Sequence, residues 1–255
     1  MGIIRINNND SNILELNKDA TETVVMIHGI FTNLSVFYFP VAQELSKKYH
    51  VVLYDLKGHG LSGTSDSEYD LRSMSNDLLK ILTELDLSKI HLVGYSYGGL
   101  IALYTALNYP EKIDKLVVIE SPDLSDGQHR PLLEGYDKEF LDQYLSDLSL
   151  STSIANSNRK TAKMHQQVQF LFEHTTFKND LMKYSDLFVQ LAESSISHET
   201  LLLYASRTEC GNAAKFLNQH IKKSSLHYGE GDHSLPVQVP NWLLLELQGF
   251  LGSTN

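Results

Sequence analysis

Residues Gly94-Tyr95-Ser96-Tyr97-Gly98-Gly99 limit what this chain can become more than any other stretch. An apolar run over residues 90–93 leads into them, and a helix-forming run over residues 100–107 leads out. A strand, a tight turn with serine at its tip, and a helix form the setting in which G-x-S-x-G exposes a nucleophile. Small residues two before and two after Ser96 let the backbone take a strained turn. The first amides of the following helix have no intrahelical acceptor and face the same space, so they suit a developing oxyanion.

A sheet is needed to hold such a turn, and the rest of the chain supplies one. Residues 3–6 and 13–16 alternate around an Asn-rich link and read as an edge hairpin. Apolar, β-branched runs follow at 23–27, 51–54, 90–93, 116–119, 201–205 and 226–228. Between them lie helical patterns, expected at 35–48, from an Asp70 cap through Leu85, at 100–107, at 213–221 and at about 237–251. Strands alternating with helices predict an α/β fold whose mostly parallel sheet is covered on both faces. From 124 to about 197 no buried-strand run appears; helices are expected near 132–148, 159–173 and 180–193. We therefore expect a core built from residues 1–123 and 198–255, with a helical lid, 124–197, inserted after the sixth strand.

Composition excludes several classes of function. With 255 residues there is enough chain for one sizeable core. A net charge of −10, with no Lys/Arg cluster beyond short pairs, argues against a nucleic-acid partner. No run approaches the ~20 apolar residues of a membrane span. Residues 1–16 are polar and lack the pattern of a secretory leader, so a cytoplasmic location is expected. Cys210 is the single cysteine, so neither an intrachain disulfide nor a cysteine-based metal site is expected. No histidine falls in a metal-ligand spacing such as H-E-x-x-H, and neither metal nor cofactor is expected.

A serine hydroxyl needs a base, and the base needs an orienting acid. In open α/β sheets such groups gather outside the carboxyl ends of strands. His233, in Gly229-Glu230-Gly231-Asp232-His233-Ser234, follows the last strand and is the expected base; His227 lies within that strand's run and reads as structural. His28 and His59 read as loop-packing residues, and Asp55 precedes the serine strand. The oxyanion amides are expected from Tyr97 and from the loop after residues 23–27, at Ile30 ahead of Phe31.

His28-Gly29, Asp55-x-x-Gly58-His59-Gly60-x-Ser62, the elbow at Ser96 and the late Gly231-Asp232-His233 together resemble the α/β-hydrolase superfamily, in order and over nearly the whole chain apart from the insertion. The resemblance implies an eight-stranded sheet and the order Ser, acid, His, with Ser96 as nucleophile, His233 as base, and Ile30 and Tyr97 as oxyanion amides. One part departs from the usual pattern. Members commonly carry Asp after the seventh strand, where this chain has Ala205-Ser206-Arg207-Thr208, with Glu209 one residue late. A second arrangement in the superfamily puts the acid after the sixth strand, where Glu120 stands. Glu120 is the favoured acid, Glu209 the alternative, and Asp123 a third candidate.

Serine at the elbow, rather than the aspartate of the superfamily's dehalogenases and epoxide hydrolases, points to acyl transfer. The expected activity is that of a serine esterase or thioesterase acting on a small-molecule ester or thioester with a largely apolar acyl group. An acyltransferase or a C–C bond hydrolase using the same triad is the alternative, and a ligand-binding sensor on a hydrolase scaffold is a third reading. Phe31 and Tyr95 are expected to contact substrate. The insertion's aromatics, Tyr136, Phe140, Tyr144, Phe172 and Phe177 among them, either line an acyl pocket or pack the helices on the core.

Overall fold

The computed structural model describes residues 2–125, 158–183, 186–194 and 196–253. The expected helix over 132–148, with Tyr136, Phe140 and Tyr144, lies outside the described residues. Eight strands form one sheet in the order β1-β2-β4-β3-β5-β6-β7-β8. They are β1 (Gly2–Ile6), β2 (Asn9–Leu16), β3 (Thr23–Ile27), β4 (His50–Tyr54), β5 (Ile90–Tyr95), β6 (Ile113–Ile119), β7 (Glu199–Ala205) and β8 (Ser224–Gly229). The β1–β2 and β2–β4 pairs are antiparallel, and every other pair is parallel. The edge hairpin and the mostly parallel sheet are those expected from the alternating and β-branched runs.

The central strands are buried on both faces, so each feeds two cores. On β3, Val25 and Ile27 point to one core and Val24 and Met26 to the other. On β5, Ile90 and Leu92 join the first and Val93 and Tyr95 the second. This period of two is the pleat's own geometry. The first core is closed by α3 (Leu71–Glu84), α4 (Tyr97–Asn108) and α8 (Gly211–His220). Leu71, Met74, Leu78, Ile81 and Leu82 make the buried stripe of α3, and the Asp70 carboxylate caps it by accepting from the Ser73 amide. The second core is closed by α1 (Ser35–Phe37), α2 (Gln43–Leu45) and α10 (Pro240–Gly252).

Prolines shorten two of the expected helices. The helix expected over 35–48 is interrupted at Phe39, whose extended φ −128° and ψ 131° suit a residue preceding Pro40. The last helix divides at Val239 into α9 (Leu235–Gln238) and α10, with Pro240 at the first position of the second piece. Within the insertion, α5 (Asn158–His174), α6 (Phe177–Leu181) and α7 (Leu187–Glu193) are described. The pattern over 180–193 is therefore two short helices rather than one. Val168, Leu171, Phe177, Leu181, Leu187, Phe188 and Leu191 tie these helices into the first core. No helix among the described residues is long and apolar enough to cross a membrane.

The sheet core sets the stability of the platform. Leu92→Ala, at a fully buried position of β5, is expected to lower the unfolding free energy by about 2–5 kcal/mol. Ile3→Ala, on the exposed face of the edge strand, is expected to change it by less than about 0.5 kcal/mol. Denaturant titration of the two variants against the parent chain checks both.

Candidate active site

Parallel register brings the loops after β3, β5, β6, β7 and β8 to one edge of the sheet. Tyr95 pairs with Ile119, and Ile119 pairs with Leu203, so Ser96 and Glu120 leave adjacent strands at the same level. Ser96 sits at φ 54° and ψ −120°, a conformation that a non-glycine residue adopts only under constraint. Three bonds impose it: the Ser96 amide donates to Ile119 O at 2.8 Å, its carbonyl accepts from the Gly99 amide at 2.9 Å, and the same carbonyl accepts from Ser121 Oγ at 2.8 Å. The flanking glycines are sterically required. A Cβ on Gly94 would lie 2.3 Å from Gly98 O, and one on Gly98 would lie 2.4 Å from Ile27 O.

His233 meets this turn from the loop after β8. Its Nε2 stands 2.9 Å from Ser96 Oγ, and its Nδ1 stands 3.3 Å from Glu120 Oε2. Because the carboxylate only accepts, Nδ1 carries the proton and Nε2 presents its lone pair to the serine hydroxyl. Tyr95, expected to contact substrate, is buried beside the histidine. Its hydroxyl donates to the His233 carbonyl at 2.8 Å, and the two rings lie 5.6 Å apart. Burial opposes the charged imidazole, but Tyr95, Cys210 and Glu120 outweigh it and hold its pKa well above the ordinary 6.5.

Glu120 is fully buried and has a left-handed backbone, φ 49°. Its Oε1 accepts from the Ala205 amide, and its Oε2 accepts from Thr208 Oγ1 at 2.7 Å as well as facing His233. The side chain therefore spans β7 to reach the β8 loop, a distance of about one further strand spacing, roughly 4.8 Å. Glutamate's extra methylene makes that span feasible. Thr208 occupies the place where the superfamily pattern has Asp, and it supplies a donor to the carboxylate that has moved one strand away. Sequence reasoning noted that substitution without assigning Thr208 a role. The signal was there: a hydroxyl residue at the acid's usual position, two residues before the single cysteine.

The other candidates stand elsewhere. Glu209 is exposed. Asp123 accepts from the amide and hydroxyl of Ser125 in a local turn. His227 is exposed and pairs with Glu246 at 2.7 Å. Asp55 fastens loops, accepting from the amides of Leu34 and Leu61 and from Asn12 Nδ2. His28 does likewise: Nδ1 donates to Gly29 O at 2.7 Å and Nε2 accepts from the Leu56 amide at 2.9 Å. That double use keeps it neutral, and burial lowers its pKa. His59 donates through Nδ1 to Lys57 O, and burial beside His28 brings its pKa down to about 3.

Ile30 is half-buried in the loop after β3, and the Tyr97 amide begins α4. Next to Ile30, Phe31 holds a left-handed backbone at φ 65° and packs its ring 6.0 Å from that of Phe172 on α5. Phe31 also lines a cavity of about 270 Å³ with Thr32, Leu34, His59, Leu61 and Val168.

The family described as alpha/beta hydrolase fold matches this chain over residues 22–241. The chain belongs to that family. As an alpha/beta hydrolase it shares its architecture with the enol-lactonase from Burkholderia xenovorans LB400, at a TM-score of 0.78 and 15% identity, covering 99% of this chain and 100% of that one. At that identity the likeness shows the fold alone. It is 34% identical over 152 residues to a protein named as a carbamate hydrolase, RutD, of Caulobacter sp. (strain K31), covering 59% of this chain and 51% of that protein. It is 32% identical over 125 residues to ethanol acetyltransferase 1 of Eremothecium cymbalariae, covering 47% of this chain and 33% of that protein. The chain thus matches about half the length, or less, of these curated relatives.

A raised His233 pKa gives the pH dependence of any step that needs the neutral imidazole a definite sign. The neutral imidazole is lost as pH falls through a value above 6.5, so the acid limb of the pH–rate profile on a p-nitrophenyl ester is expected above the ordinary histidine range. Glu120→Gln removes a group that favours the imidazolium and is expected to move that limb to lower pH. A limb at or below the ordinary range in the parent chain overturns this assignment.

Proposed function

We propose that this alpha/beta hydrolase is a serine hydrolase that cleaves a carboxylic ester or thioester with a largely apolar acyl group through an acyl-enzyme. The observation that carries the reading is the continuous relay from Ser96 Oγ through His233 to Glu120, with spacings of 2.9 and 3.3 Å. Ser96 attacks the carbonyl carbon while His233 Nε2 takes the hydroxyl proton. The amides of Ile30 and Tyr97 donate to the oxyanion as it forms. Glu120 holds the Nδ1–H tautomer and stabilises the imidazolium, which returns its proton to the leaving group. Water, deprotonated by the same nitrogen, then releases the acid and regenerates Ser96. Tyr95 acts through His233 by fixing the loop that carries it. The lid is assigned to 124–197, and in its described part Phe172 against Phe31 supports an apolar wall at that side of the site.

The likeness to a carbamate hydrolase fits the same attack, because a carbamate offers the same carbonyl carbon to the serine. A second reading, acyl transfer to an alcohol, is favoured by the likeness to ethanol acetyltransferase 1. It differs only in the acceptor that meets the acyl-enzyme, so product analysis with added alcohol separates the two.

A fluorophosphonate probe is expected to label the folded protein at Ser96 and to leave Ser96→Ala unlabelled. Absence of Ser96-dependent labelling sinks the reading. Among the acids, Glu120→Gln is expected to lower turnover of a p-nitrophenyl or acyl-thioester substrate by on the order of 10³–10⁴-fold. Glu209→Gln is expected to stay within about twofold, as an exposed substitution should.

A further inference from the structure

The side of His233 that faces away from Ser96 carries a feature the hydrolytic cycle does not need. Cys210, Glu120 and His233 come from three different loops, yet their potential ligand atoms all lie within 4.8 Å of one another. His233 Nδ1 is 3.3 Å from Glu120 Oε2 and 3.9 Å from Cys210 Sγ. Spacing in the sequence hid this group, because positions 120, 210 and 233 are far apart, and one cysteine pointed away from a metal site. The sheet order removes that objection.

We propose that Glu120, Cys210 and His233 form a binding site for a soft divalent cation of the Zn²⁺ or Cd²⁺ type, and that occupancy switches the nucleophile off. The geometry fits. Around a tetrahedral ion with bonds of about 2.0–2.1 Å to nitrogen and oxygen, the two ligand atoms stand roughly 3.3 Å apart, and sulfur and nitrogen stand roughly 3.5 Å apart. The nitrogen–oxygen distance is already present, the sulfur–nitrogen distance closes by a few tenths of an ångström, and the sulfur–oxygen pair, within 4.8 Å, closes by up to about 1.3 Å through a swing of the Cys210 side chain. The charges also fit: a thiolate and a carboxylate neutralise a divalent ion, so the buried site carries no net charge. Ligand type sets the class of cation, since sulfur and imidazole favour Zn²⁺ and Cd²⁺ over Mg²⁺ and Ca²⁺.

The consequence for the relay follows from proton balance. The Cys210 thiol releases its proton to solvent as sulfur binds the ion. The imidazole stays neutral, and its proton leaves Nδ1, which now holds the ion, for Nε2. Nε2–H then faces Ser96 Oγ as a donor and has no lone pair with which to accept the serine proton. Glu120 keeps its bonds from the Ala205 amide and from Thr208, so the loops need not rearrange. Removal of the ion restores the Nδ1–H tautomer and the base.

The binding half of this proposal stands on geometry alone, while the inhibitory half rests on the serine-hydrolase reading, and two readouts keep them apart. Cd²⁺ is titrated into the full chain while the ultraviolet thiolate-to-cadmium band is followed, and fluorophosphonate labelling of Ser96 is timed in the same samples. We expect one Cd²⁺ per chain with the band, labelling slowed at least tenfold at saturation, recovery with EDTA, and no effect of Mg²⁺. Cys210→Ser and Cys210→Ala are both expected to lose the band, to weaken Cd²⁺ binding by at least about 100-fold, and each to label at a rate of its own that Cd²⁺ does not change. No band in the parent chain, or equal slowing in both Cys210 variants, overturns the proposal, as does stoichiometric binding that leaves labelling unchanged. A parent chain that binds Cd²⁺ with the band but never labels, even without metal, supports the site and instead removes the nucleophile.

Discussion

A carboxylate buried without compensation would destabilise the fold by several kcal/mol, and Glu120 is fully buried. Its neighbours at the carboxyl edge are arranged around that fact. The Ala205 amide meets one oxygen, and Thr208 and His233 meet the other. These donors come from the end of β7, the loop that follows it and the loop after β8. Satisfying one charge therefore fixes three segments relative to the end of β6. The left-handed backbone at Glu120 turns the side chain across β7 toward them.

The serine turn is the second constraint, and it depends on the same strands. Ser96 holds its unusual backbone because its amide is tied to Ile119 O and its carbonyl to Ser121 Oγ, on either side of Glu120. The strained turn at Ser96 is thus held by the two residues that flank the buried Glu120. Tyr95 and Tyr204 extend the arrangement, donating to the carbonyls of His233 and Ser121. The loops after β3 and β4 are held in a similar way by Asp55, His28 and Ser62. Cys210 adds a sulfur next to the histidine nitrogen that the relay uses for orientation. That places a buried thiol against the imidazole on its Nδ1 side, away from Ser96.

Much of this was legible in the sequence because it is local. The glycines around Ser96 have only one steric explanation, and the run before them could only be a buried strand. The Asp70 cap and the apolar stripe of α3 follow from a period of 3.6 residues. The breaks at Phe39 and Val239 were equally local: both residues precede proline, and the expected helices ran through them. What was not legible depends on neighbours distant in the chain. Glu120, Glu209 and Asp123 are all carboxylates near strand ends; the family resemblance puts Glu120 first, but its approach to His233 depends on how three strands lie side by side. Nor does the elbow motif tell that the Tyr95 hydroxyl meets a carbonyl 138 positions away.

By itself the sequence determined the turn at Ser96, the α/β alternation and the placement of a histidine after the last strand, because each is written in residues close to one another. Only the tertiary structure decided which carboxylate faces that histidine, what Thr208 does in the place of an acid, and that Cys210 lies against the relay. Those outcomes follow from strand order and parallel register, which bring residues 96, 120, 208, 210 and 233 to one edge, and from the need of a buried charge for donors that no single segment supplies.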